Sequence, residues 1–98
     1  MASFNILIEL RGEIDAAGDH RRLREAMSAN GFRHSISDKA GVKFRLPQDE
    51  FTFSGYVSRN EVLDNVYLIV SKFVPPPGIM VTKSAGRVWR GLQEIDLP

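Results

Sequence analysis

His20 and His34 are the only two histidines in the chain, which contains no cysteine. Near neutral pH an imidazole is the side chain that both takes and gives a proton. Arg22 and Arg24 follow His20 closely, and Arg33 directly precedes His34. Metal-free cleavage of a phosphodiester by a neighbouring 2′-hydroxyl needs such a set: a base for the hydroxyl proton, an acid for the leaving oxygen, and a cation for the charge that develops on phosphorus. His20, His34, Arg22 and Arg24 are therefore candidate catalytic residues. The same imidazoles also suit surface or core-edge positions, and that reading stays open. No H-x-H, H-x-x-x-H or carboxylate cluster offers metal-ligand spacing, so no metal site is expected. The eight glycines are scattered, with neither G-x-G-x-x-G nor a P-loop, so no nucleotide cofactor is expected either.

Charge adds a second candidate set. The formal net charge is +1, which argues against a generic polyanion binder, but its distribution is uneven. Residues 20–45 carry seven Lys and Arg against Glu25 and Asp38, and residues 71–92 carry Lys72, Lys83, Arg87 and Arg90 with no acid. Two basic segments far apart in sequence form one patch if the fold brings them together. Phe44, Tyr56 and Trp89 are interleaved with Lys43, Arg45, Arg87 and Arg90, the mixture that single-strand binders use to stack bases and hold phosphates. Arg21, Arg33, Lys43, Arg45, Arg87, Trp89 and Arg90 are thus candidate RNA-binding residues. The alternative for Trp89 is packing, with its indole anchoring the C-terminal segment against a sheet edge.

The elements that must position these residues follow from periodicity. Phe4, Ile6, Ile8 and Leu10 alternate with Asn5, Leu7, Glu9 and Arg11, which predicts a strand over 3–11. Gly12 to Asp15 reads as a turn, with Asp15 as N-cap. Ala16, Leu23, Ala26, Met27 and Asn30 share one side of a helix over 16–30, closed by Gly31 in a left-handed conformation. Residues 32–37 and 42–46 read as a hairpin around Asp38-Lys39-Ala40-Gly41, and Pro47 interrupts pairing. Residues 50–57 alternate again, with Phe51 and Phe53 on one face and Gly55 marking a bulge or close approach. Ser58-x-x-Glu61 is a capping box ahead of a helix whose apolar face is Val62, Leu63, Val66, Ile69, Val70 and Phe73. Pro75-Pro76-Pro77 is expected to end that helix. Residues 79–82 form a short strand, and residues 87–92 a last one. Leu68 falls opposite the apolar stripe, on the side expected to be exposed.

With 98 residues, 43% of them hydrophobic and 26% charged, one domain over 1–98 is expected. No run of 18 apolar residues occurs, so no membrane partner is expected. The N-terminus reads as a strand without a basic leader, which points to the cytoplasm. The order β-α-β-β-α-β predicts an α+β, ferredoxin-like domain: one antiparallel sheet with both helices on one face. Its core would comprise Phe4, Ile6, Ile8, Leu23, Met27, Phe32, Ile36, Phe51, Phe53, Val62, Val66, Ile69, Phe73, Ile79 and Val81. The open sheet face, an edge strand or the Arg87-Val88-Trp89-Arg90 segment is left for partners, including a weak homodimer.

Several stretches resemble the GhoS antitoxin family, small ferredoxin-like proteins related to the small subunit of CRISPR adaptation. Arg22-Leu23-Arg24 with Met27 and Phe32 is similar to the family's first helix and its exit. Phe32 to Gly41, then Val42, Arg45, Leu46 and Phe51, are similar to its second and third strands. Ser58-x-x-Glu61-Val62 resembles the start of its second helix, and Val81-Thr82 with Arg87-x-Trp89-x-Gly91-Leu92 resembles the C-terminal part of small bacterial proteins grouped with it. The resemblance spans most of the chain and implies an endoribonuclease antitoxin of a type V toxin–antitoxin system, acting on toxin mRNA. It departs at the end of the first strand, where Arg11 stands in place of the Asp common in related nuclease-like folds. A metal-assisted route through that position is therefore not expected. Two readings remain: an RNA-binding protein with or without cleavage, and a non-enzymatic module that binds another protein through its sheet or edge.

Overall fold

Alternation in the first strand sets the layering of the molecule. The computed structural model describes residues 1–11, 16–73 and 75–95. In chain order they form β1 (Ala2–Glu9), α1 (Ala16–Ala29), β2 (Ser35–Ser37), β3 (Lys43–Arg45), β4 (Glu50–Gly55), α2 (Arg59–Val70), β5 (Gly78–Lys83) and β6 (Glu94–Ile95). The expected turn over 12–15 and its Asp15 cap lie outside the described residues.

The result is a mixed α+β architecture with two antiparallel three-stranded sheets, ordered β4-β1-β5 and β2-β3-β6. In the larger sheet Phe4 faces Phe53 and Ile6 faces Phe51 on one side of β1, while Ile6 faces Val81 and Ile8 faces Ile79 on the other. Successive side chains on a strand point to opposite faces, so this register places Phe4, Ile6, Ile8 and Phe51 on one face. Leu23 and Met27 of α1 and Val62, Val66 and Val70 of α2 are buried with them in a single cluster. Both helices therefore cover that face.

The expected single sheet is split in two. Only one bridge, Arg33 to Thr52, ties the segment before β2 to β4. Beyond it the hairpin β2–β3 leaves the main sheet and takes β6 as its third strand, with Lys43 opposite Ile95. Pro47 sits between β3 and β4 without an N–H to donate, so the pairing cannot run on into β4. Ile36 and Leu46 are buried away from the main core cluster. The expected strand over 87–92 is absent: that stretch is irregular, and the last strand is Glu94–Ile95. Residues 32–37 are likewise not one strand, and β1 ends at Glu9 rather than Arg11.

Local signals fare better. Ser58 Oγ accepts from the Glu61 N–H and Glu61 Oε1 accepts from the Ser58 N–H, both at 3.1 Å, completing the expected capping box. Gly31 takes φ 85° after α1. At Gly55 an added Cβ would meet the Phe53 ring at 3.1 Å, which explains a small residue there. The proline run does not end α2, since the helix stops at Val70 with Ser71 as C-cap, four residues earlier. Phe73 follows in a turn, its N–H bonded to the Val70 carbonyl. It packs on the core only in part, as do Phe53, Ile69, Ile79 and Val81. Leu63 is exposed. Ser58→Ala should cost about 1 kcal/mol, a drop of roughly 4–8 °C in Tm for a domain of this size. A thermal melt unchanged from wild type would refute the cap's contribution.

Candidate nucleic-acid interface

Two places gather the chemically interesting residues, one on each face of the main sheet. On the face away from the helices, β1 presents Ser3 and Asn5. Arg87 crosses over them, its Nε donating to Asn5 Oδ1 at 2.5 Å and its Nη2 to Ser3 Oγ at 2.9 Å. Asn5 Nδ2 donates in turn to Glu50 Oε2 at 2.9 Å. The Ser84 N–H bonds the Ser3 carbonyl, so the irregular C-terminal segment is laid across β1 by backbone and side chain together. Arg87 is half-buried and, among the described residues, has no carboxylate partner. A cleft of about 710 Å³ opens beside it, lined by Glu50, Lys83, Trp89 and Arg90 among others. A second cleft of about 450 Å³ shares Arg87 and Trp89 and adds Lys39 and Phe44. The Phe44 and Trp89 rings lie 5.7 Å apart and tilted by 59°. Trp89 thus packs on Phe44 of β3, the middle strand of the smaller sheet rather than the sheet edge expected from the sequence, and lines both cation-lined clefts.

On the helix side the two histidines are held by neighbouring residues. His20 Nδ1 lies 2.8 Å and 2.7 Å from the two carboxylate oxygens of Asp49. The side chains of this pair are only 13% and 10% exposed. Asp49 itself is anchored by its carbonyl, which accepts from the Ile8 N–H at 3.0 Å, and takes φ 63°. His34 Nδ1 donates to the Glu50 carbonyl at 2.9 Å, and its ring lies 5.4 Å from that of Phe51.

The remaining candidates are dispersed. Arg22 pairs with Asp19 at 3.3 Å and lies over the Phe73 ring at 4.5 Å, a favourable cation–π geometry. It lines a groove between the helices with Lys72, so the two basic segments do meet there. They meet again where Lys39 and Arg87 share a cleft, but the positive residues do not form one patch. Arg24 lies one turn beyond His20 and is half-buried, while Arg21 is exposed. Lys43 and Arg45 flank Phe44 on β3 and alternate away from it; Arg33 sits at the bridge to β4. Tyr56 is exposed beyond β4. Sequence reasoning missed Asp49, along with Glu50, Ser3, Asn5 and Lys83. Only the turn chemistry of Pro47-Gln48-Asp49 hinted that Asp49 was special. Arg11 is engaged with Glu9 at 3.4 Å. Among the described residues no three His, Asp or Glu side chains converge as a metal site, and no helix is long and apolar enough to cross a membrane.

No protein-family model, curated protein or solved structure matches the chain.

Proposed function

We propose that this chain binds single-stranded RNA along the clefts on either side of Trp89. The observation that carries this reading is Arg87, a half-buried guanidinium held by neutral oxygens and left without a carboxylate. Lys83 and Arg90 stand beside it, and the indole next to it is braced by Phe44. A fixed cation with spare donors suits a phosphate, and an aromatic platform suits an unstacked base. Glu50 lines the same cleft, but Asn5 already engages its carboxylate. The resemblance to GhoS antitoxins extends the proposal to an endoribonuclease of a type V toxin–antitoxin system whose RNA is the toxin messenger. We read the fold as a ferredoxin-like one in which the second strand is cut short. The order β5-β1-β4, followed by the Arg33 bridge to Thr52, supports that reading.

The test is the salt dependence of binding to a U- and A-rich single-stranded RNA. Affinity should fall with salt, with a log–log slope of about −0.7 per phosphate contact. Arg90→Ala should reduce that slope by about one contact. Trp89→Ala should weaken binding about 5- to 150-fold, the value of one stacked base. The double variant Arg22→Ala/Arg24→Ala reports on the helix side and should lose less than Lys83→Ala/Arg90→Ala. Salt-independent binding, or none, would overturn the proposal. An adjacent gene for a small apolar membrane protein would support the antitoxin reading.

One observation favours a second reading, a protein-interaction surface. β5 pairs only with β1 among the described strands, so its other edge is unpaired. Leu7 and Met80, opposite each other in register, are 47% and 61% exposed beside that edge. Open strand edges with apolar neighbours pair readily with another strand. Light scattering at high protein concentration should then report a dimer, and Met80→Lys should return it to a monomer. A monomer throughout would remove this reading.

A further inference from the structure

His20 and His34 stand on different elements, yet consecutive residues grip both rings. Asp49 holds His20 by its carboxylate and Glu50 holds His34 by its carbonyl. The two anchoring Cα atoms are therefore about 3.8 Å apart. A carbonyl only accepts, so the His34 Nδ1 carries the hydrogen and the Nε2 of the neutral ring keeps its lone pair. The Asp49 carboxylate likewise fixes a hydrogen on His20 Nδ1, which leaves its Nε2 as the ring nitrogen turned to solvent. Every buried side-chain polar atom among the described residues has a hydrogen-bond partner. Neither Nε2 has one, so both must reach solvent. Arg24, one turn from His20, has no carboxylate partner among the described residues. Leu46, Pro47 and Glu50 also line the cleft beside Arg87, so the segment that anchors both rings borders it.

We infer that His20 and His34 form an acid–base pair that cleaves bound RNA by transesterification without a metal ion. The inference rests on the RNA-binding reading above. His34 Nε2 takes the proton of a ribose 2′-hydroxyl, and the 2′-oxygen forms a bond to the adjacent phosphorus. The bond from phosphorus to the 5′-oxygen breaks, and that oxygen takes the proton from His20 Nε2. The products are a 2′,3′-cyclic phosphate and a 5′-hydroxyl. The two imidazoles end with their protons exchanged, and solvent resets them. The Arg24 guanidinium is the cation for the charge on the phosphorane.

The experiment uses a U- and A-rich single-stranded RNA with EDTA present throughout, with binding measured alongside cleavage. Wild type should yield cyclic-phosphate ends, and a 2′-deoxy sugar at the cut position should abolish the cut. His20→Ala and His34→Ala should each lower the rate by about 10²–10⁴. A substrate with sulfur in place of the bridging 5′-oxygen needs no proton on its leaving group. It should restore cleavage by His20→Ala but not by His34→Ala, a pattern that a merely structural role would not produce. RNA bound by wild type but left intact would overturn this inference while the binding reading stands. RNA not bound at all would overturn both. Cleavage that requires a divalent metal, or that survives the deoxy substitution, would also overturn it. Those last controls use the unaltered protein, so they hold even if a variant fails to fold.

Discussion

Phe51→Ala is expected to destabilise the fold by about 3–5 kcal/mol, the usual cost of emptying a fully buried aromatic site. Phe51 is completely buried, opposite Ile6 in register, and its ring closes the core beneath both helices. The site cannot collapse easily, because β4 is pinned by β1 along its length and by the Arg33–Thr52 bridge. A domain of this size has a total stability of about 5–15 kcal/mol, so the loss is a large part of the whole. Urea melts should show a lower midpoint with an unchanged slope if the native state remains compact. Tyr56→Ala is the control: the residue is 84% exposed, and its loss should stay within about 0.5 kcal/mol. Equal effects for the two variants would refute the assignment of the core. Because the Phe51 ring also backs His34, this variant should loosen that imidazole as well.

The second large effect is expected at Asp49. Asp49→Ala should cost about 3 kcal/mol, from two separable sources. One is the partner lost by a largely buried imidazole, about 1–3 kcal/mol. The other is the backbone: φ is 63°, a left-handed conformation that costs roughly 1–2 kcal/mol for most residues but which Asp and Asn tolerate. Asp49→Gly should remove the backbone part and keep only the loss at His20. Asp49→Asn keeps an acceptor and the tolerance, so it should cost about 1 kcal/mol or less. Urea melts of the three variants check the order Ala, then Gly, then Asn, from most to least destabilised. If Ala and Gly match, the backbone contributes nothing; if Asn matches Ala, the carboxylate charge carries the whole interaction.

Much of this protein is legible in its sequence because it depends on bonds between near neighbours. The alternation of Phe4, Ile6 and Ile8 specifies a strand with one buried face wherever that strand ends up. Ser58 and Glu61 cap α2 through hydrogen bonds only three residues apart. Gly31 and Gly41 occupy left-handed turns because a Cβ there would be strained. Other features were decided only by closing long loops. The proline run suggested that α2 would continue to its edge, but the helix stops at Val70 because Phe73 turns back onto the core. The hairpin after α1 reads as part of one sheet. It departs instead, because Pro47 denies it a ladder bond and Glu94–Ile95 offers β3 another partner. The same holds for the candidate site. Periodicity placed His20 at the edge of a helical stripe, and nothing local announced that Asp49 would meet it across 29 residues. Arg87 finds Asn5 and Ser3 across more than 80 positions, where no short-range spacing rule reaches. The chain encodes its elements through local hydrogen bonds and apolar period, whereas the meeting of two imidazoles at Asp49 and Glu50 exists only once strands far apart in sequence have paired.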